Sequence, residues 1–431
     1  MLTQSLLTIN WLTQFTHYRR IFVGFSGGLD STVLLQCLAV EPTLFPKLTA
    51  VHVNHGLSPN ALVWQEHCQQ LCAALQIPLI IKSVEFARQS NIEEVARKAR
   101  YQVFAQLLEK SDCLVLGHHL NDQAETLLLQ LFRGAGIEGL SAMVVEKAFM
   151  QGNLLRPFLH YSRQTLENYA RLNQLQWIDD ESNQDISFSR NYIRHQVLPL
   201  LSARWPGIIN NLARTSVHCQ QAQANLDDLA RIDCPALVQV SNQLAIPVFS
   251  HLSPARITNI LRLWFKTNQV RLPNTVTFNR LINEVIHARQ DANPQISWAD
   301  VNVRRYQQNL YLLKRQVKFS SLVIAWTSFP EPLDLGELGV LCTNVKDKGL
   351  IVPPQSKIEI RFRQGGEVFH WHGQSKQLKK LLQEWQIPPW LRDQIPLVFI
   401  NGQLAAVIGY AISDSFYGTT PIPVYELIIN N

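Results

Sequence analysis

The sequence predicts an α/β chain: an N-terminal parallel-sheet domain, then a smaller, mostly helical middle domain and an α+β C-terminal domain. Three observations carry this. Over roughly the first 200 residues, short apolar runs alternate with amphipathic helical patterns, the mark of βαβ units. From about residue 316 the chain turns β-rich and turn-rich. The length, 431 residues, suggests about three domains at ~150 residues each. The limits expected are 1–215, 216–320 and 350–431.

Taken in order, RIFVGFS reads as a strand and STVLLQCLAV as the helix after it. LTAVHVNHG with ALVWQEHCQQLCAALQI repeats the unit. So do LIIKSVEF with IEEVARKARYQVFAQLLEK, and CLVLGHH with DQAETLLLQLFRG. Such alternation implies right-handed crossovers and a covered parallel sheet, with reactive groups at the carboxyl ends of its strands. Residues 161–230 read as mainly helical. HLSPARITNILRLWFKTN and NTVTFNRLINEVIHAR follow as helices, then ISWAD, VNVRRYQ and LYLLKR as strands. Further on, IEIRFRQGG reads as β and SKQLKKLLQEW as one short basic helix. The stretch 394–413 carries no charge, but Asn401-Gly402 splits it. Asn-Gly between β-rich runs signals a hairpin, so two strands and no membrane span are expected.

Composition excludes several classes. Hydrophobic residues are 46% and charged residues 17%, enough core and too little charge for a disordered chain. The net charge of +6 is compatible with a polyanionic partner. The cysteines, at 37, 68, 72, 113, 219, 234 and 342, contain no CxxC pair. That argues against a disulfide framework, a zinc ribbon and a CxxC redox site, and suits a reducing, cytoplasmic setting. Cys68 and Cys72, beside His67, read as small apolar residues on one helix face rather than metal ligands. No basic residue precedes the first apolar stretch, so the N-terminus does not read as a signal peptide.

The sharpest chemical signal is Ser26-Gly27-Gly28-Leu29-Asp30-Ser31, set between the first strand and the first helix. Adjacent glycines let bare backbone N–H groups approach a ligand, and the helix N-terminus adds its own. Asp30 is out of place against an anion unless a cation bridges them, which Mg²⁺ commonly does between a carboxylate and phosphates. The plain alternative is a strand-turn-helix with a Ser/Asp cap. There is no Walker G-x-x-x-x-G-K-[ST] and no G-x-G-x-x-G with a downstream acid.

Four more segments stand out: His52-Val53-Asn54-His55-Gly56, the helix carrying Arg97 and Arg100, Gly117-His118-His119-Leu120-Asn121-Asp122-Gln123-Ala124-Glu125, and Asp180-Glu181-Ser182-Asn183 followed by Arg190-Asn191-Tyr192-Ile193-Arg194. Asp122 and Glu125 share a helix face and can hold an ammonium or a second Mg²⁺; the bland reading is acids complementing the helix dipole. Arg97 and Arg100 alone read as a solvated face, and Asn91 with Glu94 as a capping pair. Arg190 and Arg194 can clamp RNA phosphates or the nucleotide. His55 contacts a nucleotide or is a hydrogen-bonded structural histidine.

The Ser26–Ser31 segment resembles the PP-loop of the N-type ATP pyrophosphatases. With the other four segments, residues ~20 to ~200 resemble the tRNA(Ile)-lysidine synthetase branch of that family. The C-terminal IEIRFRQGGE and KQLKKLLQEWQIPPWLRDQIPLVFINGQLAAVIG are similar to its last domain. The resemblance implies ATP held at residues 26–31, with cleavage between its α- and β-phosphates. It implies ligation of L-lysine to C2 of the wobble cytidine of a CAU-anticodon tRNA(Ile), with lysine at Asp122 and Glu125. It makes Asp30, Asp122, Glu125, Arg97 and Arg100 the catalytic set, the arginines binding the adenylate or the target base. One departure is Tyr192, where the family has a third-place Arg. Arg361, Arg363, Lys376, Lys379 and Lys380, near Trp371, Trp385 and Trp390, suit tRNA backbone contact and stacking. The competing readings are a PP-loop tRNA thiolase, disfavoured by the lack of CxxC, and a non-catalytic nucleotide-binding module.

Overall fold

The computed structural model describes residues 5–56, 58–84, 92–289, 292–314 and 323–430, so Asn91 of the expected capping pair lies outside it. The chain divides into two compact units, Met1–Leu229 and Ala230–Asn431.

In the first unit the strands are Ile21–Gly24 (β1), Leu48–Asn54 (β2), Leu79–Ser83 (β3), Cys113–Val115 (β4), Glu146–Phe149 (β5) and Gly152–Leu155 (β6). They form one sheet in the order β3-β2-β1-β4-β6-β5, parallel except for β5. The helices are Ile9–Thr16 (α1), Leu29–Ala39 (α2), Ala61–Ala74 (α3), Ile92–Leu107 (α4), Leu120–Phe132 (α5), Ile137–Leu140 (α6), Arg163–Leu172 (α7), Ser189–Tyr192 (α8), Leu198–Arg204 (α9) and Ile208–Asp233 (α10), the last running past the unit boundary. Side chains alternate across a strand, so each face of the sheet has its own core. Ile21 and Val23 pack with Phe15, Leu34, Leu38 and Phe158. Phe22 packs with Val51, Phe104 and Leu114 on the other face. At the amino ends, the buried Asp112 carboxylate accepts from Arg19 and Arg20, with Arg20 Nη2 2.6 Å away. The chain steps from β1 outward to β2 and β3, then returns to place β4 on the other side of β1. The crossovers diverge there, opening a crevice at the carboxyl ends of β1 and β4.

The mainly helical 161–230 region is interrupted by the loop 173–188, which carries the Asp180–Asn183 segment. In the second unit, Pro254–Thr267 (α11) and Thr275–Arg280 (α12) pack around Trp264 and Phe265. The middle region, expected mostly helical, also carries an antiparallel sheet of Gln243–Ala245 (β7), Gln295–Trp298 (β8), Val301–Tyr306 (β9) and Asn309–Lys314 (β10), in the order β7-β10-β9-β8. Beyond it come Val323–Ala325 (β11), Leu333–Asp334 (β12), Val340–Leu350 (β13), Ile358–Arg361 (β14), Val368–Trp371 (β15), Gln374–Gln377 (β16), Leu378–Glu384 (α13), Leu397–Ile400 (β17), Gln403–Val407 (β18), Ala411–Ile412 (β19) and Tyr417–Asn430 (β20). Strand β11 pairs with β14, and β13 with β20. The stretch 394–413 contains the β17–β18 hairpin, closed by Asn401 (φ 51°) and Gly402 (φ 82°). Among the described residues, no helix is long and apolar enough to cross a membrane.

The expected basic helix 375–385 is corrected: Lys376 lies on β16, opposite Phe369, and the helix starts at Leu378. His372 (φ 52°) and Gly373 (φ 72°) make a tight turn that draws residues 374–377 into a hairpin.

Candidate active site

The crevice at β1 and β4 is a cleft of about 720 Å³. The Ser26–Ser31 turn forms one wall. Gly27 sits at φ +82°, and a Cβ there would lie 2.9 Å from Cys68 Sγ and 3.0 Å from Ile178 Cδ1. Its carbonyl accepts from Ile178 N–H at 2.9 Å, tying the turn to the 173–188 loop. Gly28 caps α2 without a side chain, and a Cβ would meet nothing nearer than 3.5 Å. Ser31 Oγ donates to Gly28 O at 3.0 Å and accepts Ser26 N–H at 3.2 Å, so this hydroxyl shapes the loop. The Leu29 side chain is in the core, leaving its backbone for a ligand.

Asp30 lines the cleft from the first turn of α2. Its Oδ2 lies 3.5 Å from His119 Nε2; its Oδ1 is buried with no hydrogen-bond partner among the described residues. A buried, unanswered carboxylate oxygen beside a phosphate-type loop fits a cation. Among the described residues, no group of three or more His, Cys, Asp or Glu is arranged to hold a metal. A metal at Asp30 would thus draw its other ligands from substrate and water, as Mg²⁺ commonly does.

Asp122 and Glu125 are buried on α5. His119 caps that helix: its Nδ1 accepts Asp122 N–H, and its own N–H donates to Asp122 Oδ2 at 3.0 Å. Arg190 Nε donates to Glu125 Oε2 at 2.7 Å and its Nη2 to Asp122 Oδ1 at 2.8 Å. Arg194 donates to Glu125 from Nε (2.7 Å) and Nη2 (2.9 Å). Thus the two arginines expected to face RNA or nucleotide engage the two acids. Arg194 stands in a π-helical turn, Ile193–Val197, directly after α8. Asn191 fastens α8 to the 173–188 loop through the Ser182 and Asp185 carbonyls. Burial alone would raise the Asp122 carboxyl, but His119 and Arg190 hold it well below the usual carboxylate range. Burial opposes charge on His119, yet Asp122, Asp30 and Glu125 raise its pKa overall.

The opposite wall carries Arg97, Arg100 and Tyr101 of α4. Arg97 lies 4.9 Å over the Tyr101 ring and donates to its hydroxyl. His55 lines the cleft at the end of β2; burial, with Arg100 and His52 nearby, pushes its pKa down to about 4. A second cavity of about 510 Å³ shares Arg163, Asp179, Asp180, Asn183 and Arg194 with the cleft. Asp122 lines the first cavity and Glu125 the second.

Sequence reasoning missed four contributors, Asp179, Arg163, Trp64 and Arg156. The first three line the cleft. Arg156 is 3% exposed; its Nε donates to His118 Nδ1 at 3.3 Å and its Nη1 to Val144 O at 2.8 Å. No motif marks it. Two histidines ending a buried strand beside a phosphate-type loop were the signal that pointed there.

In the second unit, Arg361 pairs with Glu359 and lies 4.5 Å over the Phe399 ring. Arg363 pairs with Asp393 at 3.0 Å, and Lys376 with Glu384 at 3.0 Å. Lys379 and Lys380 are exposed on α13. The tryptophans serve packing rather than open stacking. Trp385 stacks on Tyr410, Trp371 meets Trp385 edge-on, and the buried Trp390 meets Tyr306 and Tyr311 edge-on.

Comparison with known proteins identifies the family. A PP-loop domain model matches residues 2–201, a TilS substrate binding domain model residues 244–311, and a TilS substrate C-terminal domain model residues 358–424. The tRNA(Ile)-lysidine synthase of Legionella pneumophila subsp. pneumophila is 52% identical over 432 residues, covering 100% of both chains. Those of Coxiella burnetii (40%, covering 95% of this chain and 92% of the relative) and Haemophilus influenzae (39%, covering 90% and 94%) follow. With full-length identity of this order and all three domain models matched, the chain belongs to the tRNA(Ile)-lysidine synthase family.

Proposed function

We propose that this protein joins L-lysine to C2 of the wobble cytidine (position 34) in the CAU anticodon of tRNA(Ile), converting ATP to AMP and pyrophosphate. The carrying observation is that Asp30, with its unanswered Oδ1, shares one cleft with the Asp122–Arg190–Arg194 cluster. The cytidine C2 oxygen attacks the α-phosphorus, and the bond to the β-phosphate breaks with its electron pair leaving on pyrophosphate. The lysine amine then forms a bond to C2 and gives up a proton to solvent, and the C2–O pair departs with AMP. The C2 oxygen is a poor leaving group until adenylated. The loop amides of residues 26–31 hold the outer phosphates. Asp30 would hold Mg²⁺, which when bound neutralises charge on the departing pyrophosphate.

The second cavity, with Glu125, Asp179 and Asp180, suits a diamino acid. All four oxygens of Asp122 and Glu125 already have partners. An incoming ammonium competes with the arginines for these oxygens, and an arginine it displaces is freed for phosphate. Arg97 and Arg100 contact the adenylate or the target base, and His55, kept neutral, borders the nucleotide. A single-stranded loop base can be splayed into such a cleft. We assign residues 1–215 to catalysis and place 216–320 and 350–431 on the tRNA. There the exposed Lys379 and Lys380 contribute most, and the paired Arg361, Arg363 and Lys376 less. The reading puts the protein in the cytoplasm. The test is incorporation of labelled lysine into CAU-anticodon tRNA(Ile), with one AMP and one pyrophosphate released per lysine. Thiolation of the tRNA, or ATP binding without turnover, would overturn the reading.

A further inference from the structure

The geometry points to His118 as a further catalytic residue: its neutral imidazole, oriented by Arg156, donates a hydrogen bond from Nε2 to an α-phosphate oxygen of the adenylate. This rests on the function proposed above.

The argument begins with a donor that cannot accept. A guanidinium carries N–H groups and no usable lone pair. Arg156 Nε points at His118 Nδ1, 3.3 Å away. Nδ1 is therefore an acceptor, and the single ring proton of the neutral imidazole sits on Nε2. Arg156 is itself buried and anchored to the Val144 carbonyl, so this setting is rigid. It is the one hydrogen-bond partner of His118 among the described residues, and His118 lines the cleft. Burial, with Arg156, Arg190 and Arg97 nearby, outweighs the pull of Asp122 and keeps the ring uncharged at neutral pH.

Such a ring gives a hydrogen bond and cannot take a proton through Nε2. That excludes it as the base for the lysine amine and suits it to an anion. Its position selects the anion. Strand β4 lies beside β1, and a Cβ on Gly117 would be 2.8 Å from the Asp30 carbonyl. His118 thus follows directly on a contact with the first turn of α2, at the flank of the phosphate loop. With the outer phosphates on that loop, the next group along is the α-phosphate, where bonds form and break in both steps. His118 keeps its proton throughout, so the atom balance is unchanged. His119, the next residue, turns instead toward Asp30 and Asp122.

The test uses the full-length protein with ATP, Mg²⁺, lysine and tRNA(Ile), following pyrophosphate and AMP in single turnovers. His118→Ala is expected to slow both by about 100-fold, the usual cost of one preorganised donor, with KM for ATP and lysine within about threefold. His118→Gln can place an amide N–H near the Nε2 position and should recover at least tenfold of that loss. Arg156→Met frees Nδ1, so the neutral ring also populates the tautomer lacking Nε2–H. Its rate should fall at least threefold with KM for ATP and lysine unchanged, and the same substitution should cost nothing further in the His118→Ala background, where no tautomer is left to set. An Ala variant within about threefold of wild type, a Gln variant no faster than Ala, or an Arg156→Met loss that persists in full in the Ala background each overturns the assignment. If wild type releases no pyrophosphate, it is the functional reading that fails.

Discussion

Gly27 and Gly28 stand side by side and meet different demands. Gly27 is held at φ +82° with Cys68 and Ile178 against it, so Gly27→Ala meets both backbone strain and a clash. Strain of this kind costs about 1–3 kcal/mol, which in a unit of this size lowers Tm by several degrees. Gly28 has φ −76°, and a Cβ there would make only ordinary contacts at 3.5 and 3.8 Å, so Gly28→Ala should melt like wild type. Its added methyl nevertheless stands where a phosphate would approach, so its KM for ATP should rise at least tenfold. Thermal melts and ATP kinetics on the pair check this, and equal melts would sink the distinction. Asp30→Ala removes the one carboxylate on the phosphate loop. Pyrophosphate release should vanish while tRNA binding persists; near-normal turnover at saturating Mg²⁺ would refute the role.

Where α5 meets α8 and the π-helical turn, two acids and two arginines form one neutral cluster. Glu125→Gln leaves Arg190 and Arg194 short of a charge. A fully buried pair loses about 3–5 kcal/mol when broken, and partial exposure of the arginines brings this toward 1–3. KM for lysine should rise more than KM for ATP; equal rises would favour metal binding at these acids instead. Acid sensitivity also belongs to these strand ends. Burial lowers the pKa of His52, His55 (to about 4) and His118. The unfolded chain binds protons at these sites below about pH 6.5, before the folded one does. Their stabilisation is therefore full above 6.5 and is lost as pH falls toward 4, with the raised His119 opposing in part. Tm should drop across that window, and less so in His55→Asn; a flat Tm would contradict it. The parallel sheet and the Ser26–Ser31 turn were legible because glycine chemistry and apolar periodicity are local. The Arg190–Glu125 pairing was not, since 65 residues separate partners that meet only through the order of the sheet. Lys376 was misplaced because helix propensity in KQLKKLLQE competes with a His372-Gly373 turn whose effect depends on Phe369 finding a partner.

At the scale of the whole chain, strand pairing decides where the molecule can be cut. A stop at 350 keeps β11 and β13 but removes their partners β14 and β20. Two open edges then face solvent, and the product should aggregate. A stop after Lys314 leaves the β7-β10-β9-β8 sheet complete, although Tyr306 and Tyr311 lose Trp390. The first unit has cores on both faces of its own sheet, so ATP binding should be unchanged in this shorter form. Affinity for tRNA should fall, and its dependence on salt should become shallower, because each lost phosphate contact removes roughly 0.7–0.9 from the slope. Lys379 and Lys380 are exposed on α13, so Lys379→Ala with Lys380→Ala should remove about 1.4–1.8 from the slope without disturbing any pairing. Arg361→Ala should change it less, since that guanidinium is already spent on Glu359 and the Phe399 ring. Salt titrations of tRNA binding on the three proteins rank these effects. If the truncated chain and the lysine pair both keep the full-length slope, the C-terminal face of α13 is solvated surface and the tRNA is held elsewhere.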